Sequence, residues 1–234
     1  MNGKILSALK TAFPYTVPVM TGYLFLGISY GIYMNVSGFS FLYPLLMSIV
    51  IFGGSLEFLA VSLLLSTFAP LQTFFIALVI QARHLFYGLA MLEKYKGTGL
   101  KKPYLIFALT DETFSVNCST TVPEGTDRGW FYFGVSLFDQ CYWVTGATLG
   151  GILGSFIPFN TEGLDFVMTA MFTVIFLEQL LKEKKHYTAM IGLVSSVLCL
   201  VLFGSESFII PTMVCIFAML TFFRKPIEKA GGFE

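Results

Sequence analysis

The chain has 234 residues, of which 56% are hydrophobic and only 12% are charged. Soluble domains carry about 25% charged residues, so this composition excludes an ordinary soluble protein and indicates a polytopic membrane protein. The 14 basic and 14 acidic residues balance, which gives no reason to expect nucleic acid or a ligand attracted by bulk charge.

Apolar segments long enough to cross a membrane follow one another along most of the chain. A spanning helix needs about 20 mostly apolar residues. Prolines interrupt the first segment and no small-residue cleavage site ends it, so we interpret it as a spanning helix and not as a signal peptide. The last two segments are short and separated by GSES, which leaves seven or eight helices in an all-α integral membrane bundle. The predicted spans are 13–35, 41–66, 71–92, 103–121, 130–156, 164–181, 187–203 and 207–223.

The second segment, 41–66, contains Gly53-Gly54 near its middle, which favours a broken or re-entrant helix. Eight full crossings would put both termini and most of the Lys and Arg on one side, and the positive-inside rule would place that side in the cytoplasm. The four lysines of loop 93–102 oppose this arrangement. The loop would become cytoplasmic if 41–66 entered and left on one side, and both arrangements stay open.

A weak internal repeat is visible, because TGYLFLG (21–27) resembles TGATLG (145–150) and a run ending in Leu-Glu follows each at a similar offset. Transporters are often built from such duplicated halves. We predict one transmembrane transporter domain over 1–234, with repeat halves at about 13–102 and 130–223. Glycines four apart predict close helix packing at Gly27, Gly31, Gly146, Gly150 and Gly154.

Ionisable side chains inside the apolar segments carry the functional signal. Each costs about 2.5–3.5 kcal/mol in the hydrocarbon core, so each needs a use or a partner. Arg83 keeps its charge and therefore requires a carboxylate from the protein or from a ligand, unless it snorkels to the membrane surface. The candidates are Glu57, Arg83, His84, Asp111, Glu112 and Asp139, with Asp165 and Glu178 nearer the ends of their segments.

One fixed cation faces at least four carboxyl groups, so some of these must hold a proton or a cation. An arginine that takes a carboxylate, and a carboxylate that takes an ammonium group, suit a zwitterion such as an amino acid. Asp139 is predicted either to couple protons or to anchor hydrogen bonds. We predict substrate binding by Arg83, Glu57, Gln81, Tyr87 and Asn117, and proton coupling by Asp111, Glu112, His84 and Asp139.

Patterns typical of enzymes and metal sites do not occur in the sequence. The two histidines are too few for a zinc set, the four cysteines lack ligand spacing, and no HExxH or GxSxG motif appears. We expect no catalysis, no cofactor and no metal. A non-catalytic membrane subunit or channel scaffold that depends on a small membrane partner stays open as the alternative to a transporter.

Four motifs, in order along the chain, resemble those of the AzlC family of branched-chain amino acid exporters: GGSLEFLAVSLLL (53–65), QARHLFYG (81–88), LTDETFSV (109–116) and GLDFVMTAMFTVIFLEQL (163–180). The resemblance implies a permease of the bacterial plasma membrane, driven by the proton motive force, that exports leucine, isoleucine, valine or analogues. It also implies a small AzlD-type membrane subunit. The family motif positions are matched by Arg83, His84, Tyr87, Asp111, Glu112, Asp165 and Glu178.

Two residues depart from the family pattern that the resemblance implies. Glu57 stands where the family often has Gln, and Gln81 stands where it often has Asn. An acid in place of an amide changes the charge of the predicted site, so the identity of the substrate stays open.

Overall fold

The regular structure of the described residues is helical, in agreement with the predicted all-α class. The computed structural model describes residues 2–156, 186–204 and 208–223, together with residues 173, 176, 177, 180 and 181. Contacts divide the chain into two units, 1–162 and 163–234. Asp165 and Glu178 lie outside the described residues, and so does most of the predicted span 164–181. The predicted repeat halves therefore stay a prediction.

Eight α-helices are described in the first unit and two in the second. Of these, α1 alone is long and apolar enough by itself to cross a membrane, over Gly3–Val36. In the second unit α9 and α10 pack on each other as two separate helices. The helices are α1 Asn2–Val36, α2 Leu42–Val50, α3 Gly54–Leu65, α4 Pro70–Ile80, α5 Ala82–Met91, α6 Lys102–Phe107, α7 Asp111–Ser119, α8 Arg128–Leu153, α9 Tyr187–Phe203 and α10 Ile209–Phe222.

The two longest helices, α1 and α8, pack along most of their length through the predicted glycines. A methyl group on Gly27 would lie 3.1 Å from the Cα of Gly146. A methyl group on Gly150 would overlap the carbonyl of Ile28, and one on Gly31 would overlap the backbone of α8. The absence of side chains at these positions is what allows the two backbones to touch.

The two helices run in the same direction. Gly134, near the start of α8, lies beside Ala12, whereas Gly154, just after its end, lies beside Asn35. We call the end of this pair that holds residues 2–12 its N-terminal end, and the opposite one its C-terminal end. Two helices that cross a membrane in the same direction need an odd number of crossings between them.

The segment 41–66 enters from the C-terminal end of the pair. Phe41, just before α2, lies against Gly151. The carbonyl of Ile49, near the end of α2, accepts a hydrogen bond from Gln140 Nε2 at 3.1 Å. The helix therefore descends to the middle of α8, a position that we call mid-height.

The chain then reverses at Ile51–Gly53, as the Gly-Gly pair predicts. Phe52 has φ of 44°, a left-handed conformation in which a continuous helix cannot be formed. Phe58 of α3 lies against Tyr33 near the end of α1, with ring centroids 6.2 Å apart. Helices α2 and α3 thus form a re-entrant hairpin, the first hairpin, whose ends both lie at the C-terminal end.

Helices α4 and α5 make the end-to-end passage between α1 and α8. Their junction at Gln81 is at mid-height, because the Gln81 side chain packs on Gly53 at the break of the first hairpin. Beyond α5, Tyr95 belongs to a buried cluster that includes Ala12 and Phe131. The passage therefore finishes at the N-terminal end.

The segment 103–121 forms a second re-entrant hairpin, α6–α7, from the N-terminal end. Lys101, just before α6, lies with its Nζ 4.5 Å from the ring centroid of Trp130. The break comes at Thr110, whose extended backbone starts α7 and whose hydroxyl meets the Tyr23 hydroxyl at mid-height. After α7, the carbonyl of Thr120 accepts a hydrogen bond from Lys94.

These hairpins correct the predicted topology. The predicted span 103–121 is not a continuous helix, and neither it nor 41–66 passes from one end of the α1–α8 pair to the other. Nine residues in α7 and 12 in α3 extend about 14 and 18 Å, well short of the ~30 Å hydrocarbon core. The count of seven or eight full crossings is therefore not confirmed, and loop 93–102 lies at the same end as the N-terminus.

Candidate functional site

Three helix N-termini meet at mid-height of the α1–α8 pair. They are the starts of α3, α5 and α7, and each carries an ionisable residue in its first turn. Glu57 lies on α3, Arg83 on α5, and Asp111 and Glu112 on α7. A helix N-terminus has a partial positive charge, which stabilises the three acids.

Glu57 is completely buried and is held by neutral donors. Its Oε1 accepts hydrogen bonds from Trp143 Nε1 at 2.9 Å and from the Gly53 amide at 3.1 Å. Its Oε2 has no hydrogen-bond partner among the described residues. The Trp143 ring stacks on Tyr30, so aromatic rings lie on one side of the Glu57 carboxyl group. The arrangement leaves one acceptor available for a proton or a ligand.

Gln81 lies at the junction of α4 and α5 and extends the polar side of the Glu57 site. Its amide nitrogen packs on Gly53, at a position that a Cβ would fill. Its Oε1 is buried and has no partner among the residues that the structure describes. Glycine at position 53 is therefore required for this close approach.

Arg83 connects the first hairpin to the second. Its Nη1 forms an ion pair with Asp111 Oδ2 at 2.8 Å, and its Nη2 donates to Ser55 Oγ at 3.2 Å. Within the described part of the chain, Arg83 Nε and Asp111 Oδ1 have no partner. The guanidinium points to α3 and α7 at mid-height, which does not support the snorkelling alternative.

Glu112 and Asp139 are joined through hydroxyl groups. Tyr23 donates to Glu112 Oε2 at 2.7 Å and lies 2.6 Å from Thr110 Oγ1. Thr110 donates to Thr113 at 3.0 Å, and Thr113 donates to Asp139 Oδ2 at 2.7 Å. Two of the three carboxyl groups predicted to couple protons, those of Glu112 and Asp139, therefore belong to one hydrogen-bonded chain.

The remaining predicted residues lie around this centre. His84 and Tyr87 lie beside the Arg83–Asp111 pair, and the Tyr87 ring stacks on Phe114 at 4.4 Å. Asn117 lies farther toward the N-terminal end, where its Nδ2 donates to Tyr95 at 3.0 Å. Asn117 is therefore not brought together with Arg83 and Glu57.

Sequence reasoning did not single out Tyr23, Trp143 or Thr113, although each binds a predicted acid. A tyrosine or tryptophan in an apolar segment has a polar group that needs a partner, and this is the signal that was available for two of them. Thr110 before Asp-Glu has the pattern of a helix N-cap, which the structure contains. The described residues contain no group of three His, Cys, Asp or Glu side chains arranged for a metal ion.

Comparisons with known proteins give a consistent result. The family model described as AzlC protein matches residues 18–157. The chain is 57% identical to the branched-chain amino acid transport protein AzlC of Bacillus subtilis, over 98% of the chain and 90% of that protein. It is 48% identical to an uncharacterized membrane protein of Haemophilus influenzae, over 94% and 91%, and 37% identical to one of Helicobacter pylori, over 96% and 99%. No solved structure matches the chain.

Proposed function

The chain belongs to the AzlC family of membrane proteins, and we propose that it is a secondary transporter that exports branched-chain or similar hydrophobic amino acids. The observation that carries this proposal is the set of polar atoms without a partner, among the described residues, around the three helix N-termini. Arg83 Nε is a charged donor, whereas Glu57 Oε2, Gln81 Oε1 and Asp111 Oδ1 are acceptors. A zwitterion has a carboxylate that can accept from the donor and an ammonium group that can donate to the acceptors.

The proposed binding mode follows from these atoms. The cargo carboxylate binds Arg83 side-on through Nε and Nη2 and displaces the Ser55 hydroxyl, because a guanidinium binds a carboxylate best through two parallel hydrogen bonds. The ammonium group binds Glu57 and Gln81. Tyr30, Phe58 and Trp143 surround Glu57 with aromatic surface that suits an aliphatic side chain.

Alternating access around this mid-height site is the proposed mechanism. The first hairpin separates the site from one end of the α1–α8 pair and the second separates it from the other. Half-helices that end at a central substrate site are a recurring arrangement in secondary transporters. Coupling to protons is proposed for Glu112 and Asp139.

We propose that the N-terminal end of the first unit faces the bacterial cytoplasm. Every Lys and Arg of residues 2–156 other than Arg83 lies near the start of α1, in the loops at that end, or at the first residue of α6 or α8. The residues at the opposite end, 37–41, 66–69 and 154–156, contain no charged side chain. This distribution satisfies the positive-inside rule and removes the conflict over the lysines of loop 93–102.

Cysteine labelling tests this orientation. In a variant without the four native cysteines, Lys96→Cys should resist a membrane-impermeant maleimide in intact cells, whereas Thr67→Cys at the opposite end should react. Both positions are exposed, so the contrast reports the side of the membrane. The reverse pattern would refute the orientation.

A small AzlD-type membrane protein is the proposed partner, and this rests on the family resemblance alone. Co-expression with such a subunit should yield a complex that survives purification in mild detergent. Purification of the chain alone, with full transport activity, would contradict the need for that partner.

The function is tested by export from cells. A strain that lacks the chain and its partner should accumulate leucine, isoleucine or valine when fed the corresponding dipeptides, and restoration of the chain should lower the internal pool. Expression of Arg83→Gln at the same level is the matched control for a folded but inactive protein. Export at the wild-type rate from the deletion strain would refute the proposed substrate.

A further inference from the structure

We propose that Tyr23, Thr110 and Thr113 form a proton relay between Glu112 at the substrate site and Asp139 in the α7–α8 interface. The inference rests on the proton coupling proposed above and names the residues that would perform it. None of the three hydroxyl groups is needed to bind the cargo. Each lies within hydrogen-bond distance of the next.

The geometry of the relay is continuous. Four hydrogen bonds join the two carboxyl groups. Their lengths are 2.7 Å between Glu112 and Tyr23, 2.6 Å between Tyr23 and Thr110, 3.0 Å between Thr110 and Thr113, and 2.7 Å between Thr113 and Asp139. The three hydroxyl residues are between 0 and 7% exposed, and Asp139 is completely buried. Bulk water therefore does not compete with the chain along its length.

The four contacts are all hydrogen bonds when the chain holds one proton more than its three hydroxyl groups supply. Four hydrogen bonds need four donors, but Tyr23, Thr110 and Thr113 supply one hydroxyl hydrogen each. The fourth hydrogen must come from Glu112 or from Asp139. The Thr113 amide also donates to Thr110 Oγ1, at 3.3 Å, and the second lone pair of that oxygen accommodates this bond in either direction of the chain.

The transfer step is balanced. With Glu112 protonated, its O–H bond breaks as Tyr23 receives the proton, Tyr23 passes its own proton to Thr110, Thr110 to Thr113, and Thr113 to Asp139. Glu112 becomes a carboxylate, Asp139 becomes neutral, each hydroxyl again holds one proton, and no electrons are transferred. The hydroxyl groups then point in the reverse direction and must rotate before the next transfer.

The relay also explains how a proton acts on the cargo. Glu112 is next to Asp111 and interacts electrostatically with Arg83. When Glu112 is neutral, Arg83 has Asp111 as its single anionic partner. When Glu112 is ionised, two carboxylates attract Arg83 and compete with the cargo carboxylate for the guanidinium. When the site is open to the outside, transfer of the Glu112 proton along the relay therefore favours release of the amino acid on that side.

The other groups that interact with the two carboxyls do not interrupt the relay. Besides Tyr23, the charged or titratable side chains that interact with Glu112 are Asp111, Arg83, Tyr87 and Asp139. Asp139 interacts electrostatically with Glu112, Tyr23 and Tyr104, and Tyr104 donates its hydroxyl to Gln140 at 2.7 Å.

The polar face continues past Asp139 toward the N-terminal end. Ser136 lies one turn earlier on α8, and Asn117 lies one turn after Thr113 on α7. Both are completely buried, and Ser136 Oγ and Asn117 Oδ1 have no hydrogen-bond partner within the described ranges. With that end in the cytoplasm, the relay leads from the substrate site toward the inside, which is the direction that protons take in an exporter driven by proton entry.

Transport by the full chain, reconstituted in proteoliposomes together with its small membrane partner, tests the relay. Tyr23→Phe and Thr113→Val each remove one hydroxyl and keep the shape of the side chain. Both should lower leucine flux driven by a pH gradient by about 100-fold, the lower range for loss of a positioned proton-transfer group. Exchange of labelled for unlabelled leucine without net proton movement should continue, and Thr113→Ser should recover flux relative to Thr113→Val.

The matched control is Tyr142→Phe. Tyr142 lies in the same α1–α8 interface and its hydroxyl also meets a threonine, Thr16, at 3.0 Å, but this pair does not lead to a carboxyl group. Driven flux in Tyr142→Phe should remain within two-fold of the wild type, because the Tyr142 hydroxyl is not part of the relay. A loss equal to that of Tyr23→Phe would show a packing effect and overturn the relay.

Infrared spectroscopy of the purified chain tests the relay without transport. A protonated carboxyl has a C=O stretch of its own, and a component of that band should shift in Tyr23→Phe and in Thr113→Val but not in Tyr142→Phe. A band that is identical in all three variants would refute the shared proton. Wild-type leucine flux in the two relay variants would also refute it, whereas absence of leucine binding and flux in the wild-type chain would refute the proposed function instead.

Discussion

The two re-entrant hairpins enter from opposite ends and meet at mid-height, but they satisfy their acids in different ways. In the first hairpin, Glu57 is held by two neutral donors, Trp143 and the Gly53 amide. In the second, Asp111 is paired with the charged Arg83, and Glu112 accepts from the Tyr23 hydroxyl. The first hairpin therefore offers an acid without a countercharge, whereas the acids of the second are already bound within the protein.

This difference assigns separate roles to the hairpins in the proposed cycle. A buried ionised carboxyl without a countercharge is costly, so Glu57 gains the most from a proton or from an ammonium group. The Arg83–Asp111 pair is partly exposed, at 31 and 25%, so its partners can exchange at lower cost. The first hairpin is thus suited to recognise the ammonium end of the cargo, and the second to release its carboxylate end.

The largest expected effect comes from removing the one guanidinium that both hairpins share. Arg83→Gln deletes two charge-assisted hydrogen bonds, about 3 kcal/mol or more, which corresponds to a loss of leucine transport of at least about 100-fold. Transport is measured at matched expression, with the folded fraction checked by size-exclusion chromatography.

A double variant decides whether Arg83 serves the cargo or only Asp111. The double variant Arg83→Gln/Asp111→Asn removes both charges. If Arg83 only neutralises Asp111, a double-mutant cycle should show more transport in this double variant than in Arg83→Gln. We expect stability to recover in the double variant and transport to remain absent. Recovery of both would end the role of Arg83 in substrate binding.

The next effect concerns Glu57, one of the two residues that depart from the pattern that the family resemblance implies. Glu57→Gln keeps the shape and one acceptor oxygen but removes the negative charge. We expect affinity for leucine to fall about tenfold. This factor corresponds to a difference of roughly 1.4 kcal/mol in free energy between a charge-assisted and a neutral hydrogen bond to the ammonium group. Isothermal titration measures this affinity directly. Leucinol keeps the ammonium group and lacks the carboxylate, so its affinity should fall by a similar factor in Glu57→Gln. Unchanged affinity of this variant for both ligands would show that Glu57 does not bind the ammonium group.

The sequence was sufficient to predict the helical membrane class and the glycines between α1 and α8, because composition and residue spacing record these features locally. The family was identified from the resemblance of four motifs. The Gly-Gly pair also favoured a break near Gly53, but the sequence left a full crossing by 41–66 open as well. The break at Thr110 was not predicted. Hydropathy treats 103–121 as one apolar segment, and the reversal depends on an N-cap and on contacts with α1 and α8 that are distant in sequence.

The site shows the same limit. Arg83, Glu57, Asp111, Glu112 and Asp139 could be identified because ionisable residues stand out in apolar segments. Which of them pair could not be predicted, because half of a crossing and half of a hairpin separate Arg83 from Asp111 along the chain. Tyr23 and Trp143 come from two further helices, and only the parallel packing of α1 on α8 brings them to the acids.

The smallest expected effect tests the return of the second hairpin to the N-terminal end. Lys94 donates to the carbonyls of Asn117, Cys118 and Thr120 and so binds the C-terminus of α7, where a cation is favourable by about 0.3–1 kcal/mol. Lys94→Met should lower the thermal midpoint of the purified chain slightly and leave leucine affinity unchanged. Lys96→Met is the matched control, because the Lys96 side chain is 77% exposed and pairs with Glu93 only at 3.8 Å. Equal effects of the two substitutions would contradict a specific contact between Lys94 and α7. They would also contradict the re-entrant path of 103–121, because a helix that crossed the membrane would carry its C-terminus away from loop 93–102.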